Sequence, residues 1–270
     1  MNHIGVCEWT LPVNGPYAVA YAAKCGFEGI QLGDLGGDTM SFPMNDKLIQ
    51  EGYLEAALKN GMVLHSMHLH ELVRTGGIVH PRTSPLGERA TRSLEASIDA
   101  CAQMGIPCVN ISAFFASEIK NTYCLRNFID HVRFAVQYGM DKNVAVAYEP
   151  ILGAEKTLAI LEAVPGLRLN FDTLNPIFGG SGDPRGELKA YGIEVIDHVH
   201  VKDAPEDFSC NCTLGEGAGE LAKTVGLLKE MGYSGWYLSE NYDPGFDARY
   251  KPDFPALEKR DIAALKKLHV

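Results

Sequence analysis

Eight short apolar runs, each separated from the next by a stretch of helical periodicity, constrain this 270-residue chain more than any other feature. In order they are Ile4 to Cys7, Gly29 to Asp34, Met62 to His70, Cys108 to Ala113, Val144 to Glu149, Leu167 to Asp172, Val195 to Asp203 and Trp236 to Glu240. Between them, apolar residues recur at steps of three or four, most plainly Leu86, Ala90, Leu94, Ile98 and Cys101 over Pro85 to Met104. Further helices are predicted over Tyr17 to Lys24, Asp46 to Asn60, Leu125 to Val136, Ala154 to Ala163, a short stretch to Tyr191, Leu221 to Met231 and Ala256 to Leu268. Gly26, Gly61 and Gly232 stand where helices stop. The stretches rich in Gly and Pro, Thr75 to Pro85 and Pro176 to Pro184, read as loops, the first long enough to cover a site. Strands alternating with helices, with no break in composition, predict a parallel sheet closed into a single-domain (β/α)8 barrel over residues 1–270. An open doubly wound sheet would carry a Gly-rich phosphate turn after its first strand, and Glu8-Trp9-Thr10-Leu11-Pro12 is nothing like one.

Composition narrows the partners. A formal charge of −10 leaves no basic footprint for gripping a nucleic-acid backbone, although it does not exclude a phosphorylated small molecule. No apolar run approaches the ~18 residues of a membrane span, and Met1-Asn2-His3 leads straight into a strand rather than a secretion signal. The 7 cysteines are odd in number and scattered, with Cys210-Asn211-Cys212 the only close pair, so no disulfide framework is expected. These features predict a cytoplasmic protein with thiols reduced, no membrane or nucleic-acid partner, and room for a homo-oligomer.

The chemistry gathers around Ile196-Asp197-His198-Val199-His200-Val201-Lys202-Asp203. In a strand, His198 and His200 share one face while Val199 and Val201 share the other. Either histidine alone reads as a hydrogen-bonded core residue. Three other runs, however, each end in one carboxylate: VAVAYE at Glu149, LRLNFD at Asp172 and GWYLSE at Glu240. In such a barrel the carboxyl ends of the strands form the active-site rim. Three carboxylates converging there would repel one another unless a cation sat among them. Oxygen-rich ligation with one imidazole suits Mn²⁺ first, with Mg²⁺, Co²⁺ or Zn²⁺ as alternatives.

Glu149-Pro150, the FDTLNP run at Phe171 to Pro176, HVHVKD at His198 to Asp203, LGEG at Leu214 to Gly217 and SEN at Ser239 to Asn241 together resemble the xylose-isomerase-like TIM-barrel superfamily of sugar and sugar-phosphate isomerases and epimerases. The resemblance spans nearly the whole chain and implies one divalent ion held by Glu149, Asp172, His200 and Glu240, with His198 one layer deeper as a support. It further implies an isomerase or epimerase of a ketose or ketose phosphate, moving a proton through a metal-bound cis-enediolate, with Glu149 and Glu240 as the acid/base pair. Glu155, six residues past the first ligand, matches a substrate-binding carboxylate of family epimerases; as an ordinary residue it is an acidic group favoured at a helix N-terminus. Three positions depart from the free-ketose 3-epimerases: Asn175 stands for a histidine, Glu206 for an arginine, and Leu152 lies where an asparagine is usual. Asn175 is more like the sugar-phosphate branch.

Other substrate-binding candidates follow from position. His68, with His70 on the same face, ends strand three; Trp9 ends strand one and can stack on a sugar or pack under a loop; Lys202 sits at the rim, where it meets a phosphate or carbonyl or is simply solvated. The same scaffold also supports keto-polyol dehydratases and non-catalytic sugar-binding barrels. It supports zinc-cluster apurinic endonucleases too, for which His65, His68 and His70 are available but the acidic charge is wrong.

Overall fold

In a computed structural model of the chain, which describes residues 2–35, 42–179, 181–207, 211–242, 253–268 and 270, the helices begin and end at the punctuation their sequences carry. Asp46 caps the helix Lys47–Asn60 by accepting from the Leu48 amide, and Ser84 caps Pro85–Met104 by accepting from the Gly87 amide. Gly26, Gly61 and Gly105 take the left-handed conformation that closes a helix end, with φ of 105°, 64° and 69°.

The elements run β1 (His3–Cys7), α1 (Pro16–Cys25), β2 (Gly29–Gly33), α2 (Lys47–Asn60), β3 (Val63–His68), α3 (His70–Thr75), α4 (Pro85–Met104), β4 (Cys108–Ser112), α5 (Thr122–Met140) and β5 (Ala145–Glu149). They continue α6 (Ala154–Ala163), β6 (Arg168–Asp172), α7 (Asn175–Gly179), α8 (Pro184–Tyr191), β7 (Ile196–Val201), α9 (Leu221–Glu230), β8 (Trp236–Ser239) and α10 (Phe254–Lys267). All eight strands pair in parallel and in sequence order, and β8 returns to β1, closing the barrel.

Side-chain alternation then sorts each strand into two layers. Val146 and Tyr148 of β5 face the helices, where the Tyr148 ring lies 5.0 Å from that of Phe128 on α5. Val199 and Val201 of β7 join the same outer core. The inner layer is polar: Gln31, Ser66, Asn110, Asn170, His198 and His200 are all fully buried and hydrogen-bonded. Two register shifts add to it. Ile30 pairs with Leu64 and Gln31 with Ser66, leaving His65 bulged out of the β2–β3 ladder. Leu169 pairs with Ile196 and Asn170 with His198, so Asp197 is bulged likewise.

Three expectations are corrected. Strand three stops at His68, and His70 starts a helix whose second amide, that of Glu71, donates to Asp34 Oδ2 at 2.6 Å. That buried acceptor makes the helical turn cheaper than a longer strand. Thr75 to Pro85 is no open loop over the site, because Gly77–Val79 forms a buried 3₁₀ turn against α4 and α5. Within Pro176 to Pro184, residues up to Gly179 belong to α7, nucleated by Asp172 accepting from the Leu174 and Asn175 amides. Cys7, Cys25, Cys101, Cys108 and Cys124 are free thiols, Cys210 lies outside the described residues, and no described helix is long and apolar enough to cross a membrane.

One buried group away from the site has a measurable consequence. His131 on α5 is 0% exposed, its Nε2 faces the His80 carbonyl at 3.1 Å, and its Nδ1 has no hydrogen-bond partner among the described residues. Burial pushes its pKa down from 6.5 to about 4. The unfolded chain therefore binds the proton more tightly between these values, so stability is complete above pH 6.5 and falls as pH drops toward 4, by roughly 3 kcal/mol for this residue. Urea unfolding at pH 7 and pH 4.5 should show His131→Gln with a shallower acid loss than the wild type.

Candidate active site

Glu149 and Asp172 are the last residues of β5 and β6, His200 is the fifth of β7, and Glu240 follows β8 directly. Barrel closure brings them together: one donor atom from each lies within 4.8 Å of the others, and all four residues are buried. The Nδ1 of His200 is the common point, 3.0 Å from Glu240 Oε2, 3.7 Å from Glu149 Oε1 and 4.0 Å from Asp172 Oδ2.

Each carboxylate is held by one set of contacts and aimed inward by another. Asp172 Oδ1 is tied to the amides of Leu174 and Asn175 at 2.8 Å. Glu240 Oε1 accepts from the Trp9 indole at 2.9 Å, and Glu149 Oε1 from the Asn175 amide nitrogen at 2.7 Å. The remaining oxygens of the first two, Asp172 Oδ2 and Glu240 Oε2, are buried without a hydrogen-bond partner of good geometry among the described residues. Lys202 Nζ approaches them as an ion pair, at 3.2 Å and 2.7 Å. Buried, anionic and unsatisfied oxygens beside an imidazole nitrogen form a donor set that fits a divalent cation.

The electrostatics are those of a crowded acidic site. Burial, then the charge of Glu240, pushes Glu149 above the ordinary carboxylate range. Burial acts the same way on Glu240, but Lys202 and His200 outweigh it and hold that carboxyl well below its ordinary value. For Lys202, burial favours the neutral amine, yet Asp172, Glu240 and Glu149 hold it charged, well above the usual lysine value. Burial likewise lowers His200, but the Glu240 and Glu149 carboxylates raise it by more, so it ends well above 6.5. Burial pushes the Cys7 thiol up to about 12, so it stays protonated 3.5 Å from His200 Nε2.

A cavity of about 850 Å³ opens over this cluster. Glu149, Glu240, Asn175 and Lys202 line it with Trp9, His68, His70 and Ser112, and Phe114, Phe115, Ile151 and Leu152 add an apolar surface. The Trp9 ring lies 4.7 Å from His70 and 5.1 Å from His68, so these three form one aromatic group. Burial lowers His68 well below 6.5 and also lowers His70, leaving neutral imidazoles beside the cavity. Glu155 is not brought here; it is exposed in the first turn of α6 and absent from the cavity lining. Glu206 is exposed in a turn beyond β7.

Two contributions escaped the sequence reading. Gln31 accepts from His200 Nε2 at 2.7 Å and so leaves Nδ1 facing the carboxylates. Its signal was a polar residue between two glycines on the inward face of β2, with nothing local to name its partner. The second is a brace behind the rim. Asp203 accepts from the amides of Gly215, Gly217 and Gly219 at 2.9 to 3.0 Å, while Asn241 accepts from the Asp203 amide and donates to Asp261 Oδ2 at 2.8 Å. The KD, LGEG and SEN motifs are therefore one structure, which fixes the backbone beside Lys202 and Glu240. A Cβ on Gly217 would lie 2.3 Å from Asp203 Oδ1 and 2.4 Å from the Ala204 carbonyl. Gly217→Ala should cost about 1–3 kcal/mol in a thermal melt.

Residues 19–268 match the family described as xylose isomerase-like TIM barrel. The 2-epi-5-epi-valiolone 7-phosphate 2-epimerase of Actinoplanes sp. is 27% identical over 234 residues, covering 84% of this chain and 82% of that protein. The L-ribulose-5-phosphate 3-epimerase UlaE of Escherichia coli is 26% identical over 260 residues, covering 88% and 86%. Among solved structures, an L-ribulose 3-epimerase superposes with a TM-score of 0.77 at 15% identity, over 99% of this chain and 94% of that one.

Proposed function

Because this chain belongs to the xylose isomerase-like TIM barrel family, we propose that it is a divalent-metal-dependent epimerase acting on a ketose, a ketose phosphate or a closely related cyclic ketone. The observation that carries this reading is the convergence of Glu149, Asp172, His200 and Glu240 under one cavity, with two buried oxygens presented inward. The named relatives support it, since the two compared in sequence are epimerases of phosphorylated substrates.

Glu149, Asp172, His200 and Glu240 would hold the ion, Mn²⁺ by preference for an oxygen-rich set with one nitrogen. When bound, it supplies Lewis-acid polarisation of a substrate carbonyl and its neighbouring hydroxyl, which acidifies the C–H between them. Glu240 and Glu149 then act as the proton-accepting and proton-donating pair on the two faces of that carbon, so that removal from one face and return to the other inverts it. Trp9 and Asn175 orient these two carboxylates through their N–H groups. Trp9, His68 and His70 present a ring surface to the sugar, and the apolar wall from Phe114 to Leu152 limits water around the reacting carbon.

Proton exchange in D₂O tests the proposal. The Mn²⁺-loaded protein, given ketoses and ketose phosphates, should place deuterium on the carbon beside the carbonyl, and a chelator should abolish this. Net loss of water would identify a dehydratase instead, and metal uptake without exchange on any substrate would refute the enzyme reading.

A further inference from the structure

The barrel interior holds a row of groups, leading to His200, whose first members the proposed chemistry does not use. Asp197 Oδ1 lies 2.8 Å from His198 Nδ1, His198 Nε2 lies 3.1 Å from Gln31 Nε2, and Gln31 Oε1 lies 2.7 Å from His200 Nε2. The row ends where His200 Nδ1 meets Glu240. Gln31, His198 and His200 are 0% exposed and the Asp197 side chain 20%, so solvent reaches only the outer end of the row.

We infer that Asp197, at the amino-terminal end of the barrel, is a positioning residue that selects the tautomer of His200 through His198 and Gln31, and so turns the Nδ1 lone pair toward the carboxylate cluster. This rests on the proposed reading of that cluster as a metal centre. A primary amide has one accepting end and one donating end, and a neutral imidazole has one nitrogen of each kind. The row therefore has two self-consistent polarities. A carboxylate only accepts, so Asp197 demands N–H at His198 Nδ1. His198 Nε2 is then a lone pair that accepts from the Gln31 amide N–H. The Gln31 carbonyl is left facing His200, which donates from Nε2, so the nitrogen left to face a cation is Nδ1, which Asn170 Nδ2 approaches at 3.1 Å. In the reverse polarity His200 would carry its proton on Nδ1, pointing at the place a metal must occupy.

The fold makes this arrangement deliberately. Strand alternation alone would send Asp197 outward, opposite to His198, and the bulge between β6 and β7 releases it from that rule. Ser66 takes the second amide hydrogen of Gln31 at 2.8 Å and also meets His65 Nδ1 at 2.9 Å, so the glutamine has no free hydrogen left.

The same end of the barrel offers a rival. His65, Asp197 and His198 place one donor atom each within 4.8 Å of one another, as a metal site would. An ion there would need the His198 Nδ1 lone pair, which moves the proton to Nε2 and sets it against the Gln31 N–H. Turning Gln31 to relieve that clash would reverse the row and spoil His200. The hydrogen bonds thus favour a polarity-setting group over a second metal centre.

Long-range ¹H–¹⁵N correlation of histidine-labelled protein at pH 8 tests this without turnover. Before metal is added, wild-type His198 should be the Nδ1–H tautomer; with zinc added, His200 should keep Nε2–H. Asp197→Asn removes the acceptor-only group, so His198 should show both tautomers and zinc affinity should fall about tenfold or more. His65→Gln, at the same end of the barrel but outside the row, should shift the melting temperature while leaving tautomers and zinc affinity unchanged. Wild-type His198 found as Nε2–H, or Asp197→Asn lowering only the melting temperature, would overturn the inference. A second zinc equivalent in the wild type that is lost in Asp197→Asn would overturn it in favour of the rival site. The expected His198 tautomer in a wild type that takes up no zinc would uphold the row and refute the metal centre alone.

Discussion

Glu240→Gln is expected to lower deuterium incorporation about a thousandfold, within the ~10²–10⁴ that positioned proton transfer contributes, with Glu149→Gln close behind. The amide keeps the size of the side chain but cannot accept the substrate proton. Glu240 is suited to the accepting role because Lys202 and His200 outweigh its burial and keep it ionised. Glu149 lines the same cavity and takes the donating role as the second carboxylate beside the reacting carbon. The measurement is exchange rate per bound metal, by mass spectrometry with metal content determined on the same samples. Glu155→Gln provides the contrast, since that carboxylate is exposed on α6, and it should change the rate little. Full exchange by Glu240→Gln at normal metal content would remove Glu240 from the mechanism.

Lys202→Met should destabilise the metal-free protein by about 3–5 kcal/mol, the usual result of stripping one partner from a buried ion cluster. The Lys202 side chain is 12% exposed, and its ammonium contacts Asp172 and Glu240. Without it, the buried Glu149, Asp172 and Glu240 have only His200 as a counter-charge in the cluster. The melting temperature in the presence of chelator should fall by roughly 10 °C. Saturating Mn²⁺ should restore most of the loss, because the ion supplies the positive charge that methionine does not. The metal-induced gain in melting temperature should therefore be larger in Lys202→Met than in the wild type. An unchanged melting temperature under chelation would show that the carboxylates do not depend on Lys202, and failure of Mn²⁺ to restore it would count against the four residues as a metal centre.

Much of the arrangement was legible because it is local. Period-two alternation put His198 and His200 on one face, and both are buried inside the barrel. The runs ending at Glu149 and Asp172 stop where β5 and β6 stop. The strand expected through His70 stops short because the helix that replaces it depends on Asp34, which accepts from the Glu71 amide 37 positions further along the chain. Glu155 matched a family spacing, yet spacing along the chain does not decide which way a helix's first turn faces.

Alternating strands and helices, with a carboxylate at the end of three strands and paired histidines in a fourth, were determined by the sequence alone, since periodicity and strand ends are properties of a few adjacent residues. Only the tertiary structure decided what those residues meet. Gln31 reaches His198 and His200 across 167 and 169 positions, and Trp9 reaches Glu240 across 231. Such pairs exist because β8 closes on β1 and because single-residue bulges at His65 and Asp197 re-aim side chains that alternation would have sent elsewhere. Closure and register are set by the packing of all eight strands at once, and no window of neighbouring residues contains that information.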